Sequence, residues 1–245
     1  MSKIGIIGLG LIGGSLGLAL KKYLPEHAIY GNDINQGNLK YCIEKNIIDN
    51  TLNKTIISDM DIIFIAVPVK AIIDVINDIY PFIDSNKTII TDMGSTKLYL
   101  NNEIKKKYPD IKYIGGHPMA GKETSGPEVA DPDLFFDKRY ILMKSTDFDY
   151  NQKRKRLSII LKKIGCKIKY FNPEEHDRFV AITSHLTHIL SYTLMNEYID
   201  HYNNNNKDIR DLVASGFIDV TRIAASDPRM WSDIFLTNKS NILSS

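Results

Sequence analysis

Two short loops hold the residues best suited to moving a proton. His117 lies in GGHPMAG, residues 115 to 121, between a glycine pair and a proline, where neither a helix nor a long strand can continue. Ser95 lies in DMGSTK, residues 92 to 97. A fixed imidazole can take the proton of an alcohol while hydride leaves the same carbon. A serine hydroxyl can donate to or accept from both that alcohol and the imidazole. Such a pair needs a hydride acceptor, and the N-terminus offers a place for one. Gly8-Leu9-Gly10-Leu11-Ile12-Gly13 matches GxGxxG. In that pattern the first glycine permits a tight turn, the second lets a pyrophosphate reach the backbone, and the third lets helix pack on strand. Asp33 stands twenty positions after Gly13. A carboxylate there accepts from a ribose 2′-hydroxyl and repels a 2′-phosphate, and no arginine follows in Ile34-Asn35-Gln36 to reverse that preference. The expected cofactor is therefore NAD rather than NADP. Val67-Pro68 closes an apolar run, where it either flanks the cofactor's adenosine or ribose or simply ends a strand.

The C-terminal third adds a second set. His185 and His188 in SHLTHIL are three apart, on one face of a helix. No third ligand with metal spacing accompanies them, so lining a substrate cleft is the favoured reading over a metal site, and no metal is expected. Arg222 and Trp231 lie in GFIDVTRIAASDPRMW. A guanidinium offers a bidentate fork to a carboxylate, although Arg222 alone reads equally well as a surface or ion-pair residue. Ser226 or Asp227, with Pro228 behind it, caps the last helix and needs no other role.

The elements that position these residues are legible from periodicity. Lys3–Gly8, Ala28–Asp33, Asp61–Val67, Lys87–Asp92, Lys112–Gly115, Tyr140–Lys144 and Cys166–Phe171 read as strands. Leu11–Lys22, Gln36–Lys45, Thr96–Lys107 and Asn151–Ile164 read as helices between them. Alternation of this kind predicts an α/β fold, a Rossmann-type doubly wound and mostly parallel sheet. In such a sheet the loops carrying Ser95 and His117 emerge on the cofactor's side. From Pro173 onward only helical patterns remain: Pro173–Tyr202, Asp208–Gly216, Phe217–Ala225 and Pro228–Leu243, with Asn203–Asn206 as a loop. The expected domains are a dinucleotide-binding one over 1–171 and an all-helical one over 172–245.

Bulk properties narrow the function classes. With 43% hydrophobic and 24% charged residues the 245-residue chain has ordinary globular composition. A net charge of +2 is too small for a nucleic-acid or membrane footprint. The glycine-rich N-terminal run is too short to span a bilayer, and no cleavable signal is evident. Cys42 and Cys166 lie far apart in the chain and pair with no metal-ligand pattern. A soluble cytoplasmic protein is expected.

Taken in order, GLGLIGGSL, DMGSTK, GGHPMAGKETSG, SHLTHIL and GFIDVTRIAASDPRMW resemble the prephenate dehydrogenase family of tyrosine biosynthesis, from the N-terminus almost to the last residue. The resemblance implies NAD-dependent oxidative decarboxylation of prephenate to 4-hydroxyphenylpyruvate, with His117 as proton acceptor and Ser95 hydrogen-bonded to the C4 hydroxyl and to His117. It further implies that Arg222 pairs with a substrate carboxylate and that His185, His188 and Trp231 help form the pocket. Lys122 and Glu123 then gate access or hold the neighbouring subunit of a homodimer built on the helical domains. Ile218 stands where some relatives carry a lysine, and the chain stops at Ser245 where relatives usually continue through further helix. Two domains account for all 245 residues, so neither a fused chorismate mutase nor an ACT-type domain is expected within them. Arogenate is the rival substrate, with Glu123 as the acid that would favour its amine. A base of the 3-hydroxy acid dehydrogenase type, a lysine on the helical part, has no matching motif. A non-catalytic NAD(H) sensor would leave His117 and Arg222 without a shared role.

Overall fold

A computed structural model describes residues 1–145, 147–204 and 209–245. Asn205, Asn206 and Asp208, part of the expected loop and helix start, lie outside the described residues. The chain divides into two compact units, Met1–His176 and Asp177–Ser245.

The first unit opens with β1 (Lys3–Ile7), α1 (Leu11–Tyr23), β2 (Ala28–Asn32), α2 (Gln36–Glu44), β3 (Asn50–Thr51) and β4 (Ile62–Ile65). It continues with α3 (Ala71–Ile79), β5 (Ile89–Asp92), α4 (Leu98–Lys107) and β6 (Tyr113–Ile114). These six strands form one parallel sheet, ordered β3-β2-β1-β4-β5-β6. Each β4 residue is buried, but successive side chains enter different cores: Ile62 and Phe64 join Ile4, Ile6, Leu16 and Leu20, whereas Ile63 and Ile65 join Ile72, Ile76, Ile90 and Leu100. A strand covered on both faces has no polar side to show, which is why it reads as an unbroken apolar run. Periodicity assigned nothing between Val69 and Lys87. The structure places α3 there, and its Ile72, Ile73, Ile76 and Ile79 form the buried stripe of an amphipathic helix.

The later strands do not extend this sheet. β7 (Gly116–Pro118), β8 (Arg139–Met143) and β9 (Lys167–Phe171) form a second, three-stranded sheet, with β7 antiparallel to β8 and β8 parallel to β9. Only Gly115 separates β6 from β7, so the chain leaves one sheet and enters the other within a single residue. The long helix α5 (Phe148–Lys163) precedes β9, and α6 (Pro173–Val180) follows it across the unit boundary.

In the second unit the expected helix over 173–202 is real but interrupted. After α6 comes a π-helical turn, Ala181–His185, and then α7 (Leu186–Asn204). Of the stretch expected as one helix to Gly216, residues 209–214 hold a 3-10 turn at Arg210–Leu212 and then extended backbone at Val213 and Ala214, so that α-helix starts only at Ser215. α8 (Ser215–Thr221) follows and tightens into a 3-10 turn at Arg222–Ala225. The last helix is two, α9 (Pro228–Thr237) and α10 (Lys239–Leu243), broken at Asn238 with φ −122°. No helix among the described residues is long and apolar enough to cross a membrane.

The fingerprint turn sits between β1 and α1. Gly8 turns the chain with φ +92°, and a Cβ on Gly13 would lie 1.8 Å from the Gly8 carbonyl oxygen, while one on Gly10 would meet nothing within 4 Å. Gly13→Ala should therefore strain the β1–α1 turn by about 1–3 kcal/mol, a fall of several degrees in Tm by calorimetry. Gly10→Ala should keep Tm within about a degree, since its Cβ would meet nothing and such a change shifts stability little, while weakening dinucleotide binding in a fluorescence titration.

Candidate active site

Strand order reverses between β1 and β4: β2 and β3 lie to one side of the pair, β5 and β6 to the other. In a parallel open sheet, ligands bind beyond the carboxyl ends of the strands at such a point. The fingerprint turn after β1 and Val67-Pro68 after β4 meet there, for a Cβ on Gly8 would contact Ala66 and Val67. Val67 is half-buried and Pro68 exposed. The N-terminus of α1 has Gly10 as its cap, no side-chain cap bond and no acidic residue in its first turn. Its unpaired amides, with Leu11 and Ile12 in the first turn, favour an anion. Asp33 follows β2 and is nearly buried. Its Oδ2 accepts from the Leu9 amide at 2.6 Å and its Oδ1 from the Asn35 amide at 2.7 Å. The carboxylate is thus tied to the turn whose amides would carry the phosphates. These residues fit a dinucleotide: a side-chain-free position at Gly10, an uncapped helix and a fixed acid.

The catalytic candidates are held by a second construction. Asp92 ends β5 and Lys97 precedes α4, and both side chains are fully buried. The Lys97 ammonium pairs with Asp92 Oδ2 and donates to the Gly116 carbonyl at 2.7 Å. Asp92 Oδ2 also accepts from the Gly94 amide at 2.8 Å, while Oδ1 accepts from the Tyr113 hydroxyl at 2.7 Å and the Gly116 amide at 3.1 Å. One ion pair thereby pins the Ser95 loop, β6 and the first residue of β7. A side chain at 116 could not be accommodated, since its Cβ would lie 2.7 Å from the Asp92 carbonyl oxygen. His117 is the next residue, buried, its backbone paired with Ile141 of β8. Its Nδ1 lies 2.9 Å from Nε2 of His176, also buried, with the rings crossed at 73°. Ser95 is half-buried in the pinned loop.

Lys122 and Glu123 are exposed in the loop that follows. The Lys122 ammonium donates to the Val129 carbonyl and pairs with Asp131, both at 3.3 Å, so it braces its own loop.

In the second unit, three sequence candidates come together around one indole. His188 stacks on Trp231, with ring centroids 3.4 Å apart, and His185 meets the same ring edge-on at 6.1 Å. Burial holds the His188 pKa below the ordinary imidazole value, against the opposing pull of its contact with the Ser184 carbonyl. Trp231 is buried, and its indole N–H meets no acceptor among the described residues. His185 Nδ1 lies 3.1 Å from the Asn238 amide nitrogen, which also donates to the Asp177 carbonyl at 2.7 Å. That pair of contacts explains why the last helix breaks at Asn238. Arg222 is exposed at the start of its 3-10 turn. Among the described residues, His185 and His188 belong to no group that could hold a metal. The two cysteines are buried, and burial pushes their thiols up to about 11 for Cys42 and about 12 for Cys166, which leaves both without nucleophilic character.

Sequence reasoning missed Asp92, Lys97, His176 and Asn238. DMGSTK contained a signal for the pair, a lysine five residues after a strand-ending acid. PEEHDRF contained none for His176, since a histidine among charges reads as a solvated helix face.

Comparison with known proteins follows the same division. Residues 16–170 match the family model described as prephenate dehydrogenase, nucleotide-binding domain, and residues 172–245 match prephenate dehydrogenase, dimerization domain. A prephenate dehydrogenase of Bacillus subtilis is 34% identical over 244 residues, covering 97% of this chain and 64% of that protein. The chain thus spans just under two thirds of that relative's length. The crystal structure of prephenate dehydrogenase from A. aeolicus in complex with hydroxyphenyl propionate and NAD+ superposes with TM-score 0.89 at 30% identity, covering 100% of this chain and 85% of that one. Synechocystis arogenate dehydrogenase superposes with TM-score 0.81 at 28% identity, covering 99% and 86%.

Removing one partner of a buried ion pair strands the other charge, at a cost of about 3–5 kcal/mol. Lys97→Met is expected to lower unfolding stability by that amount in a urea titration, whereas neutralising the exposed Lys122 with Lys122→Met should cost less than about 1 kcal/mol.

Proposed function

This chain belongs to the prephenate dehydrogenase family, and from that premise we propose that it catalyses the NAD-dependent oxidative decarboxylation of prephenate to 4-hydroxyphenylpyruvate. The observation that carries the reading is a buried imidazole, His117, built onto a strand pinned to the loop at the carboxyl end of β5. Bound NAD supplies the hydride acceptor. Gly8 makes the turn and Gly13 packs helix on strand, so that Gly10 and the amides of Leu11 and Ile12 would hold its pyrophosphate, Asp33 would take its adenine-side ribose hydroxyls, and Val67-Pro68 would flank its adenosine. His117 accepts the C4 hydroxyl proton as the C4 hydride departs, and Ser95 orients that hydroxyl. The bond from C1 to its carboxylate then breaks, its electron pair completes the aromatic ring, and the C4 oxygen takes the proton back from His117. Because aromatisation drives the step, the protein's work is positioning and proton acceptance.

Arg222 pairs with a substrate carboxylate, and His185, His188 and Trp231 line the pocket, the buried indole N–H being a donor that a ligand oxygen would satisfy. The neutral state favoured for His188 keeps its ring a hydrogen-bonding wall rather than a second cation. The helical unit also joins two copies: α7 exposes Leu190 and Leu194, one turn apart on the same side of the helix, an apolar patch that a second copy would cover. A homodimer is expected, with twice the chain mass by light scattering.

Arogenate is the second reading, favoured by exposed Glu123 just beyond the His117 strand and by the likeness to Synechocystis arogenate dehydrogenase. NADH formation followed with prephenate and arogenate in parallel separates the two. Prephenate turnover is expected, falling by roughly 10²- to 10⁴-fold in kcat for His117→Asn, the contribution of a general base. Turnover of arogenate alone would move the substrate, and turnover of neither with NAD still bound would remove the catalytic reading.

A further inference from the structure

Two buried imidazoles in direct contact must share one hydrogen, and the shared hydrogen decides what each ring can do. His117 Nδ1 and His176 Nε2 are 2.9 Å apart, and the crossed rings make this an edge-to-edge hydrogen bond rather than a stack. We infer that His176 is the positioning residue of the site, its Nε2 accepting from His117 Nδ1–H and so leaving His117 Nε2 as the atom that takes the substrate's proton. The inference rests on His117 acting as the base, as proposed above.

The direction of the bond follows from what a base requires. A neutral imidazole has one N–H and one lone pair. If His176 donated, His117 Nδ1 would be the acceptor, its hydrogen would sit on Nε2, and that nitrogen could accept nothing. If His117 donates, Nε2 carries the lone pair, and His176 must be neutral with its own hydrogen on Nδ1. When His117 takes a proton at Nε2, its Nδ1–H keeps the same partner and the bond becomes charge-assisted, so nothing has to rotate as the proton arrives. An acceptor behind a catalytic imidazole normally fixes its tautomer and orientation. A carboxylate in that place would also stabilise the imidazolium by its charge. His176 supplies the lone pair without the charge, so it selects the tautomer without raising the basicity of His117 as far.

The fold supports the assignment. His176 lies in the first turn of α6, its amide donating to the Asn172 carbonyl at 3.0 Å just after β9 ends. β9 pairs with β8, and β8 with the strand that carries His117. Both imidazoles are thus placed by one three-stranded sheet.

The test uses substitutions that separate hydrogen-bond acceptance from bulk. Glutamine can set its side-chain oxygen where Nε2 of histidine stood; leucine cannot accept. His176→Leu is expected to lose about tenfold in kcat, less than the roughly 10²- to 10⁴-fold that a general base itself contributes, with little change in KM for either substrate, and His176→Gln is expected to recover most of it. In parallel, nitrogen-15 shifts of labelled histidine should show His117 protonated at Nδ1 in the wild type and in His176→Gln, and a mixture of tautomers in His176→Leu. Equal losses in the two variants, or a wild-type His117 protonated at Nε2, would overturn the assignment. If the wild type turns over neither substrate, the proposed function fails, and the nitrogen shifts alone still decide whether His176 accepts.

Discussion

The first unit is organised around a buried charge pair that is costly to hide and is fully used. Bringing Asp92 and Lys97 out of water carries a desolvation penalty that their mutual attraction repays only if the remaining hydrogen-bonding capacity is met. Here Asp92 accepts from the Gly94 amide, the Gly116 amide and the Tyr113 hydroxyl, and Lys97 finds the Gly116 carbonyl. Those partners are the Ser95 loop, the last strand of the parallel sheet and the first residue of the next. The requirement that two charges be satisfied therefore fixes the Ser95 loop and the backbone next to His117, and the same oxygens and hydrogens serve stability and geometry together.

The parallel sheet and its dinucleotide end were legible because their signals are local. β-branched runs, a glycine fingerprint and an acid at the next strand's end are each written in a few consecutive residues, and Gly8, Gly13 and Asp33 stand where that pattern puts them. What escaped was written in long-range contacts. Tyr140 and Ile168 look like strand residues in any sheet, and only tertiary pairing, Tyr140 with Pro118 and Ile168 with Tyr140, assigns them to a separate one. His176 and Asn238 carry no local mark of their partners, 59 and 53 residues away in sequence. Helix continuity over 173–202 was correct in period yet blind to the π turn, since a single π turn sits between ordinary helical residues and Ala181–His185 carries no residue type that marks it.

The helical unit shows the same economy with neutral groups. Asn238 gives up helical backbone and places one amide against both the Asp177 carbonyl and the His185 ring. The π turn ends on that histidine, and α7 then carries His188 one turn further to lie flat on Trp231. Two interruptions of regular helix, at Ala181–His185 and at Asn238, are where His185 and Asn238 turn inward to meet each other.

The single-residue passage from β6 to β7 has a consequence for how such a chain can change over time. Loops elsewhere, such as the exposed stretch from Gly121 to Ser125, can gain or lose residues without moving a strand. Between Ile114 and His117 there is no such slack. Because strand side chains alternate faces, one inserted or deleted residue would turn the imidazole to the opposite side of its sheet and pull Gly116 off the ion pair. Length variation within the fold should therefore stop abruptly at this junction, making its spacing a more stringent ruler for functional descent than the identity of most residues around it.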